Sequence, residues 1–513
     1  MHGSSSSDAG RTRRRKRSDS AGRLSLTAWS PADLHDRPAS LQPVPGGGRS
    51  HHASGIRPAA QQEGLPLPPD PKHARGIGHR VVIVGAGFGG MNAARALHRA
   101  DAEIVLVDRT NHNLFQPLLY QVGTAALSGN DIALPIRSIF RRQRNVTVAM
   151  DELTGIDRDR REVSLASGNT LSYDTLVLAT GSVYSWFGHD DWKRHSIALK
   201  TLDEADLLRN RLLDAFERAE IATDPDEIAR LMTFVVIGAG PTGVELAGAV
   251  AELSRHTLAR DFRRIHAPDA RIILCDAGPR VLAQFPQTLS DYAARRLQSL
   301  GIELRLSCQV GAVDAGGVEA GGERIAAATV FWAAGTAATP VARWLDVKAA
   351  KHGLVEVGPD CTLPGHPEIF IVGDAASCNG ADGKPLPGLG SVAKQQGHFV
   401  GRTIAARLSG GRAPGDFRYR NYGQLAMIGS SSAVADFGWI RLTGFAAWVV
   451  WSAVHLLLLV SARNRVVVYI NWVWAWLTYG RGARVITRPL ADLLPEGAAH
   501  RPGTVNARAG SGA

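Results

Sequence analysis

The fold is decided by the stretch Val81-Val82-Ile83-Val84-Gly85-Ala86-Gly87-Phe88-Gly89-Gly90. Its four apolar β-branched residues predict a buried strand, and a helical stretch at residues 91–98 follows the glycine turn. In such a turn Gly85 permits the tight bend, Gly87 lets a pyrophosphate approach the backbone, and Gly90 lets the helix pack on the strand. The N-terminus of the helix then faces the phosphates, so the stretch predicts phosphate binding.

An acid ends the next strand, as a dinucleotide-binding unit requires. The apolar residues 104–107 predict this strand, and Asp108 follows it in a position to hold a ribose hydroxyl. Phe88, inside the glycine turn, is a further candidate contact of the cofactor. The alternative is a glycine turn used only for packing. Strand, turn, helix, strand and acid in this order favour nucleotide binding.

The same pattern recurs about 150 residues later. Phe234-Val235-Val236-Ile237 predicts a buried strand, and Gly238-Ala239-Gly240-Pro241-Thr242-Gly243 predicts a second phosphate-binding turn before a helix. Gly238, Gly240 and Gly243 are the candidate cofactor-binding residues here. Two such units in one chain are typical of flavin–nicotinamide oxidoreductases, with FAD in the first and a nicotinamide dinucleotide in the second.

The acid of the second unit indicates which nicotinamide cofactor is used. Asp276 follows a strand at residues 271–274, farther from Gly243 than the usual spacing of about 20 residues. A charged insert at residues 252–264 accounts for the extra length. An acid at this strand end repels a 2′-phosphate and favours NAD over NADP. Arg280 lies nearby and could weaken that preference.

The first domain is expected to resume after the second unit, which would make the second unit an insertion. Three apolar stretches that end in small residues support this, namely Leu176-Val177-Leu178-Ala179-Thr180-Gly181-Ser182, Val330-Phe331-Trp332-Ala333-Ala334-Gly335-Thr336 and Ile369-Phe370-Ile371-Val372-Gly373-Asp374-Ala375. In such folds the last strand delivers an Asp, here Asp374, to the ribityl chain of the flavin. The alternative is an ordinary strand-end turn. The candidate cofactor-binding residues here are Thr180, Gly181, Gly335, Gly373 and Asp374.

With these motifs the chain resembles the two-dinucleotide-binding-domain flavoproteins, and more closely the type II NADH dehydrogenases. Residues 111–122, Asn111-His112-Asn113-Leu114-Phe115-Gln116-Pro117-Leu118-Leu119-Tyr120-Gln121-Val122, are similar to that family's stretch beside the flavin, and residues 240–246 match its NADH fingerprint. The resemblance covers residues 80–488. It implies a single-subunit enzyme that passes hydride from NADH to FAD and two electrons to menaquinone or ubiquinone, without proton pumping.

The resemblance also implies catalytic residues. It places Glu245 near the nicotinamide and the flavin, whereas the alternative is an acid that stabilises the start of a helix. Residues 390–397 look like the family's quinone-site helix, although Ser391 stands where many members have Gln. Lys394 and Gln395 are therefore the candidates for contacts with flavin or quinone. The alternative for both is a solvated helix face.

The cysteines exclude one route for the electrons. The four are Cys275, Cys308, Cys361 and Cys378, without zinc-ligand spacing, and no metal is expected. None lies between Gly90 and Phe140, where related disulfide reductases carry a redox pair. Sulfide:quinone reductases also need paired cysteines, and Cys378 has no evident partner in the sequence. The electrons are therefore expected to pass directly to an outside acceptor.

The C-terminal region differs from the rest of the chain. Residues 417–429 predict a small β element that covers the flavin, and residues 442–460 are nearly free of charge. Arg463-Asn464-Arg465 interrupts this run, and a second apolar segment with three tryptophans occupies residues 466–479. Aromatic residues and arginines around apolar helices predict an interfacial membrane anchor at residues 442–480. The alternative is a buried dimer interface.

Length and composition limit the domain organisation. The chain has 513 residues, 45% of them hydrophobic, and a net charge of +11 that owes much to a basic, Ser/Pro/Gly-rich leader. The predicted fold is α/β, with two Rossmann-like dinucleotide-binding domains and a C-terminal membrane-anchoring helical region. The predicted boundaries are a disordered leader at 1–78, the FAD domain at 79–200 and 341–415, the NADH domain at 201–340, the anchor at 416–488 and a disordered tail at 489–513.

Expected partners follow from this organisation. We expect a peripheral, monotopic protein on the cytoplasmic face of the cell membrane, a quinone acceptor and a homodimer, and no nucleic-acid partner. Two other functions use the same motifs: a soluble ferredoxin- or rubredoxin-reductase-like enzyme and an NADH-sensing flavoprotein. The apolar, Trp-rich C-terminal segments disfavour the first of these, and slow reoxidation of the flavin by every quinone would favour the second.

Overall fold

The computed structural model describes residues 78–381 and 383–487. Apart from Gly78, the predicted leader lies outside the described residues, as does the predicted tail at 489–513. The strands in chain order are β1 (Arg80–Val84), β2 (Glu103–Asp108), β3 (His112–Leu114), β4 (Ala133–Pro135), β5 (Val146–Met150), β6 (Leu153–Asp157), β7 (Glu162–Leu165), β8 (Thr170–Ser172), β9 (Thr175–Leu178), β10 (Ser182–Tyr184), β11 (Thr233–Ile237), β12 (Arg271–Cys275), β13 (Ile302–Arg305), β14 (Val310–Asp314), β15 (Gly317–Ala320), β16 (Glu323–Ala326), β17 (Thr329–Trp332), β18 (Thr336–Ala338), β19 (Val355–Glu356), β20 (Thr362–Leu363), β21 (His366–Ile371), β22 (Ala376–Ser377), β23 (Gln424–Met427), β24 (Ala433–Asp436) and β25 (Arg441–Thr443).

The α-helices alternate with these strands in the way that parallel sheets require. They are α1 (Phe88–Ala96), α2 (Leu119–Gly123), α3 (Gly129–Ile132), α4 (Ile136–Phe140), α5 (Leu202–Ile221), α6 (Pro225–Leu231), α7 (Pro241–Glu252), α8 (Gln287–Ser299), α9 (Val341–Trp344), α10 (Gly390–Leu408), α11 (Gly444–Leu458) and α12 (Ala462–Thr478). A π-helical turn, Leu253–Thr257, continues α7.

The first sheet has the strand order β20-β21-β9-β1-β2-β5, with β20 antiparallel and the others parallel. The central strand β1 is buried along its whole length. Its Val81 and Ile83 face a core that α1 and α10 cover, whereas Val82 and Val84 face a core shared with the small antiparallel sheet β6-β7-β8. Burial on both faces explains why this strand is a continuous apolar run.

The second sheet is parallel, with the order β13-β12-β11-β17. Strand β17 pairs with β11, so the stretch that begins at Val330 belongs to this sheet and not to the resumed first domain. The predicted NADH domain of 201–340 includes this stretch, but its use as a sign that the first domain resumes was wrong, because the sequence of a fully buried strand does not show which sheet it joins. The first sheet resumes with β21, which pairs with β9.

A short antiparallel ladder, β10 with β18, lies where the chain passes between the two sheets. Strand β10 follows β9 of the first sheet, and β18 follows β17 of the second. The second unit is thus inserted into the first, as the sequence predicts.

Close backbone contact joins the two helices on the first sheet. A Cβ atom on Gly397 of α10 would lie 2.0 Å from the carbonyl oxygen of Gly89 in α1, and one on Gly401 would lie 2.6 Å from the carbonyl oxygen of Ala93. Only glycine fits at such distances. The contact holds the N-terminal half of α10 against the glycine turn that precedes α1.

The C-terminal region consists of the antiparallel sheet β23-β24-β25 followed by α11 and α12. The predicted β element is present at residues 424–427, but residues 417–419 form no strand. In residues 78–381 and 383–487, none of the helices combines the length and the apolar character needed to cross a bilayer.

Candidate functional site

The first glycine turn has the geometry that the sequence predicts. Gly85 has a φ of +98°, and a Cβ there would lie 2.3 Å from the carbonyl oxygen of Ala179 at the end of β9. A Cβ on Gly90 would lie 1.9 Å from the carbonyl oxygen of Gly85. Around Gly87, the N-cap of α1, no heavy atom lies within 4 Å of that position. The turn therefore leaves open space at the N-terminus of α1, where a phosphate fits.

Asp108 closes one side of this turn. Its Oδ2 accepts a hydrogen bond of 2.7 Å from the backbone N–H of Ala86, and its Oδ1 accepts bonds of 2.8 Å from the N–H and hydroxyl of Thr110. These bonds fix the carboxylate beside the open space at Gly87. This is the position in which the predicted contact with a ribose hydroxyl would form.

The second glycine turn repeats the first. Gly238 has a φ of +105°, a Cβ on Gly243 would lie 1.8 Å from its carbonyl oxygen, and the space around Gly240 is open. Asp276 accepts bonds of 2.6 Å from the backbone N–H groups of Ala239 and Gly278. Asp276 is thus held in the same way as Asp108, which supports two nucleotide sites of the same kind.

The guanidinium of Arg280 is hydrogen-bonded to the backbone in this structure. It donates to the backbone carbonyl oxygens of Ala283, at 2.6 Å, and Phe285, at 3.1 Å. The guanidinium is therefore held by the loop that follows Asp276, and the acid remains the charged group at the end of β12.

The ends of β9 and β21 bring together the remaining predicted flavin contacts. Thr180 and Thr339 share a hydrogen bond of 2.6 Å between their hydroxyls, and Gly181 has a φ of +73° with open space around it. The backbone N–H of Gly373 donates to Oε1 of Gln396, which lies in α10, across 2.8 Å. The buried amide of Gln396 thereby holds α10 against the end of β21.

Asp374 lies beside a lysine that the sequence analysis missed. Ser182 donates a bond of 2.6 Å to Oδ2 of Asp374, and Lys200 bonds to Ser182 with its Nζ 3.9 Å from the same oxygen. Burial lowers the pKa of Lys200, while Asp374 and Glu204 act in the opposite direction. No motif marks Lys200, which only precedes a helix, so nothing short of the tertiary structure could identify it.

An exposed aromatic ring covers Gly335, the predicted contact at the end of β17. Gly335 has a φ of +69°, and a Cβ there would lie 2.4 Å from Cζ of Phe187. Phe187 itself has a φ of +54°, and its ring lies 6.1 Å from that of Trp332. Phe187 thus borders the second nucleotide site, although no sequence signal pointed to it.

Glu245 lies where the second nucleotide unit meets the C-terminal region. Its Oε1 accepts a bond of 3.2 Å from the backbone N–H of Met427 in β23. Burial raises the pKa of Glu245 to about 8, although the Met427 N–H and the Trp451 side chain act against it. The carboxyl is therefore able to carry a proton near neutral pH, which an acid at a solvated helix start would not do.

A row of aromatic rings runs from the first glycine turn to helix α11. The ring centroids of Phe88 and Phe115 lie 6.1 Å apart, and Phe115 lies 6.2 Å from His455 of α11. His455 stacks on Trp451 at 4.1 Å and bonds through Nδ1 to the carbonyl oxygen of that residue across 2.7 Å. Burial lowers the pKa of His455 to about 4, so the ring is neutral at neutral pH.

Lys394 and Gln395 lie on the outer side of α10. The Lys394 side chain is exposed, and the Gln395 amide exchanges two hydrogen bonds, of 2.9 and 3.0 Å, with the backbone of Arg420. Within the described chain neither side chain hydrogen-bonds to Glu245. Ser391 pairs with the hydroxyl of Tyr419 at 3.0 Å. The predicted roles of Lys394 and Gln395 remain predictions.

The structure gives Cys378 a partner, which corrects the expectation that it has none. Cys361 and Cys378 are buried free thiols, and the side-chain interaction with Cys378, together with burial, raises the pKa of Cys361. The two residues are far apart along the chain and lack a motif spacing, so the sequence could not pair them.

Comparison with known proteins agrees with this geometry. Residues 79–397 match the pyridine nucleotide-disulphide oxidoreductase family, and residues 422–482 match the NDH2 C-terminal domain. The fold is similar to that of the NDH2 of Plasmodium falciparum in complex with NADH, with a TM-score of 0.71 and 19% identity. That alignment covers 79% of this chain and 99% of the other, and it confirms the predicted α/β fold.

Two curated relatives are similar in sequence to this chain over most of their length. The type II NADH:quinone oxidoreductase of Staphylococcus aureus is 27% identical over 69% of this chain and 89% of its own length. The type II NADH:quinone oxidoreductase Ndh of Mycobacterium tuberculosis is 42% identical over 425 residues, covering 80% of this chain and 90% of that protein. This chain therefore belongs to the type II NADH:quinone oxidoreductase family.

Proposed function

We propose that this protein transfers hydride from NADH to FAD and then passes two electrons to a membrane quinone, without pumping protons. The observation that carries the proposal is the pair of equivalent nucleotide turns, at Gly85 and Gly238, in one chain whose C-terminal region closes over Glu245. The family relationship supports the same donor and acceptor.

The residues around the first turn fit FAD. Open space at Gly87 admits the pyrophosphate, Asp108 is fixed beside it, and Asp374 with Lys200 lies at the end of β21 where the ribityl chain would pass. When bound, the flavin accepts a hydride and later gives up two electrons. The chain itself needs no general base for the first half-reaction, because its task there is to hold the rings together and exclude water.

The residues around the second turn fit NADH. Asp276 presents a negative charge at the end of β12, and the Arg280 guanidinium is already bonded to backbone carbonyl oxygens. A 2′-phosphate would meet repulsion from the Asp276 carboxylate. The proposed donor is therefore NADH in preference to NADPH.

Reduction of a quinone to a quinol also consumes two protons, and we infer that Glu245 supplies one. Its raised pKa of about 8 keeps the carboxyl protonated at neutral pH. It lies against β23 and α11, on the side of the molecule that carries the apolar C-terminal helices. A lipid-soluble acceptor would enter from that side.

The outer faces of α11 and α12 support membrane docking at residues 442–480. Many large apolar side chains there are exposed, among them Phe445, Val449, Leu457, Leu458, Val466, Tyr469, Ile470, Trp474, Trp476 and Leu477. Exposed apolar patches of this kind mark contact with a membrane or another protein. We propose peripheral, monotopic binding to the cytoplasmic face of the cell membrane, and a homodimer within it.

The test is the flavin absorbance near 450 nm, roughly where oxidised flavins absorb. The holoprotein in mild detergent is reduced anaerobically with NADH, and a short-chain quinone is then added. Fast bleaching followed by fast recovery is the expected result. Bleaching that only a ferredoxin or oxygen reverses would contradict the proposal, and bleaching by NADPH but not by NADH would contradict the role of Asp276.

Binding to the membrane is tested separately with lipid vesicles. Full-length protein without detergent is expected to sediment with vesicles. A variant with Trp474→Ser and Leu477→Ser is expected to stay in the supernatant while it still reduces a water-soluble quinone. Equal sedimentation of both proteins would contradict docking through α12.

A further inference from the structure

A chain of hydrogen bonds links the second anchor helix to the region of Glu245. Trp472 of α12 donates from its indole Nε1 to Oε1 of Gln121 across 2.7 Å. Gln121 of α2 donates from Nε2 to the hydroxyl of Tyr120 across 3.0 Å. Tyr120 in turn donates to the sulfur of Met427 across 3.0 Å, and the backbone N–H of Met427 bonds to Glu245.

The donor and acceptor groups fix the direction of each hydrogen bond in this series. The indole N–H of Trp472 can only donate, so it fixes the amide oxygen of Gln121 on its own side. The amide nitrogen of Gln121 then faces Tyr120 and occupies a lone pair of its hydroxyl. The proton of that hydroxyl consequently points away from Gln121, toward the sulfur of Met427.

A thioether is a weak hydrogen-bond acceptor, so the hydroxyl proton of Tyr120 forms only a weak hydrogen bond in the structure. Tyr120 is 4% exposed, which keeps competing water away. Burial, and next the charge of Glu245, raise the pKa of Tyr120 well above its usual range, so the hydroxyl keeps its proton. A carbonyl oxygen that entered beside Met427 would be a better acceptor than the sulfur.

Tyr120 also borders a cavity that opens among the anchor helices. The cavity has a volume of about 70 Å³, and its walls include Tyr120, Gln121, Met427, Trp448, Trp451 and Trp472. One wall is thus the core of the protein, and the other is formed by α11 and α12. The Tyr120 hydroxyl thus borders the side of the molecule that α11 and α12 form, from which an apolar acceptor would arrive.

We propose that Tyr120 donates a hydrogen bond to a carbonyl oxygen of the electron acceptor, and that Trp472 positions it through Gln121. This inference rests on the proposed quinone reductase function and assigns residues of its second half-reaction. The hydrogen bond stabilises the negative charge that develops on the acceptor oxygen, and Tyr120 keeps its own proton. The position of α12 thereby becomes part of the acceptor site.

The test uses the holoprotein in detergent and measures the two half-reactions separately under anaerobic conditions. In Tyr120→Phe the rate of flavin reoxidation by a short-chain benzoquinone or naphthoquinone should fall about a hundred- to a thousandfold, as for loss of one oxyanion donor. In Trp472→Phe it should fall by a smaller factor, about three- to tenfold, because only the orientation of Gln121 is lost. Bleaching by NADH should keep the wild-type rate in both variants.

Trp439→Phe is the matched control, because Trp439 is 85% exposed in the same C-terminal region. It should leave both half-reactions unchanged. Wild-type reoxidation in Tyr120→Phe would overturn the assignment of Tyr120, and wild-type reoxidation in Trp472→Phe would overturn the positioning role. Slowing of both half-reactions in Trp472→Phe would indicate general damage and would also overturn that role.

The wild-type protein distinguishes failure of the proposed function from failure of the role of Tyr120. If the wild-type flavin is not reoxidised by any quinone, the proposed function fails. If the wild type is reoxidised and the variants do not differ from it, only this inference fails. Should Tyr120→Phe lose FAD, Trp472→Phe still decides the question, because it leaves the core of the site in place.

Discussion

The backbone N–H of Met427 lies 3.2 Å from Oε1 of Glu245 and donates a hydrogen bond to it. This bond joins the C-terminal sheet to the first turns of the helix that follows the second glycine turn. The acid that follows the second glycine turn is therefore enclosed by the region to which the apolar C-terminal helices belong. In the proposed function this residue lies between the donor side and the acceptor side.

The pH dependence of quinone reduction is the first prediction. The pKa of Glu245 is raised to about 8, so its protonated fraction falls as the pH rises through that value. If the carboxyl supplies a proton, the rate of flavin reoxidation by quinone should fall above about pH 8. In Glu245→Gln this fall in rate should be absent. Stopped-flow reoxidation rates from pH 6 to 10 test it. The same fall in rate above about pH 8 in wild type and in Glu245→Gln would assign the titration to another group.

The same carboxyl should affect stability. A pKa raised from the usual 4.5 to about 8 means that the folded state favours the protonated form. The contribution to stability is fully present below about pH 4.5 and is lost as the pH rises to about 8. The Tm of Glu245→Gln relative to wild type should therefore increase between pH 5 and pH 8. A constant difference across this range would show that the carboxyl is not buried in the folded protein.

Discrimination between NADH and NADPH should depend on Asp276. Asp276→Asn keeps the shape of the side chain but removes the charge that repels a 2′-phosphate. The ratio of kcat/KM for NADPH to that for NADH should rise about fivefold or more, since a charge within about 4 Å contributes on the order of 1 kcal/mol or more. Asp269→Asn, an exposed acid just before β12, should leave the ratio unchanged. An unchanged ratio in Asp276→Asn would mean that other groups select the cofactor.

Alanine at the last glycine of each turn should separate the two sites. A Cβ would lie 1.9 Å from a carbonyl oxygen at Gly90 and 1.8 Å from one at Gly243. Gly90→Ala should therefore lose bound FAD, whereas Gly243→Ala should retain the yellow flavin and lose its bleaching by NADH. Gly155→Ala is the control, because its Cβ would be 3.8 Å from the nearest atom. Retention of both cofactors in both variants would contradict the assignment of the turns.

A buried ion pair should hold the C-terminal helices in place. Nη2 of Arg481 lies 3.7 Å from Oε2 of Glu252, both side chains are nearly buried, and Arg481 also donates to the carbonyl oxygens of Thr124, at 2.8 Å, and Ala249, at 3.2 Å. Arg481→Ala leaves Glu252 buried without its counter-charge, which costs about 3 kcal/mol in comparable cases. A drop in Tm of several degrees is expected.

The control for Arg481→Ala is Arg260→Ala, because the Arg260 side chain is exposed. Its Tm should stay within about a degree of wild type, as for most surface substitutions. Limited proteolysis provides a second measurement, in which Arg481→Ala should be cleaved faster within residues 459–480. Equal Tm values for the two variants would show that the ion pair does not hold the helices.

Local sequence patterns were sufficient to predict the two nucleotide-binding turns. Each turn is encoded within about 30 consecutive residues, because an apolar strand, the glycines and the helix that follows need no distant partner to take their shape. The acids Asp108 and Asp276 were found for the same reason, since each ends the next strand of the same unit. The apolar, Trp-rich character of α11 and α12 is likewise written in consecutive residues.

Contacts between distant side chains became visible only in the folded molecule. Strand β17 pairs with the second sheet, Cys361 lies beside Cys378, and Lys200 lies beside Asp374, although no motif spacing links them. The exposure of Lys394 and the pairing of Gln395 with the backbone of Arg420 likewise depend on how α10 packs.

The region around Glu245 and the C-terminal helices shows most clearly which features consecutive residues predict and which features tertiary packing adds. Consecutive residues alone predicted two nucleotide-binding units, an acid at Glu245 and two apolar C-terminal segments. Tertiary packing alone brought Trp472 to Gln121 and Met427 to Glu245, and it raised the pKa of that acid. Hydrogen bonds and desolvation depend on which groups become neighbours in space, and residues hundreds of positions apart become neighbours only when the chain folds.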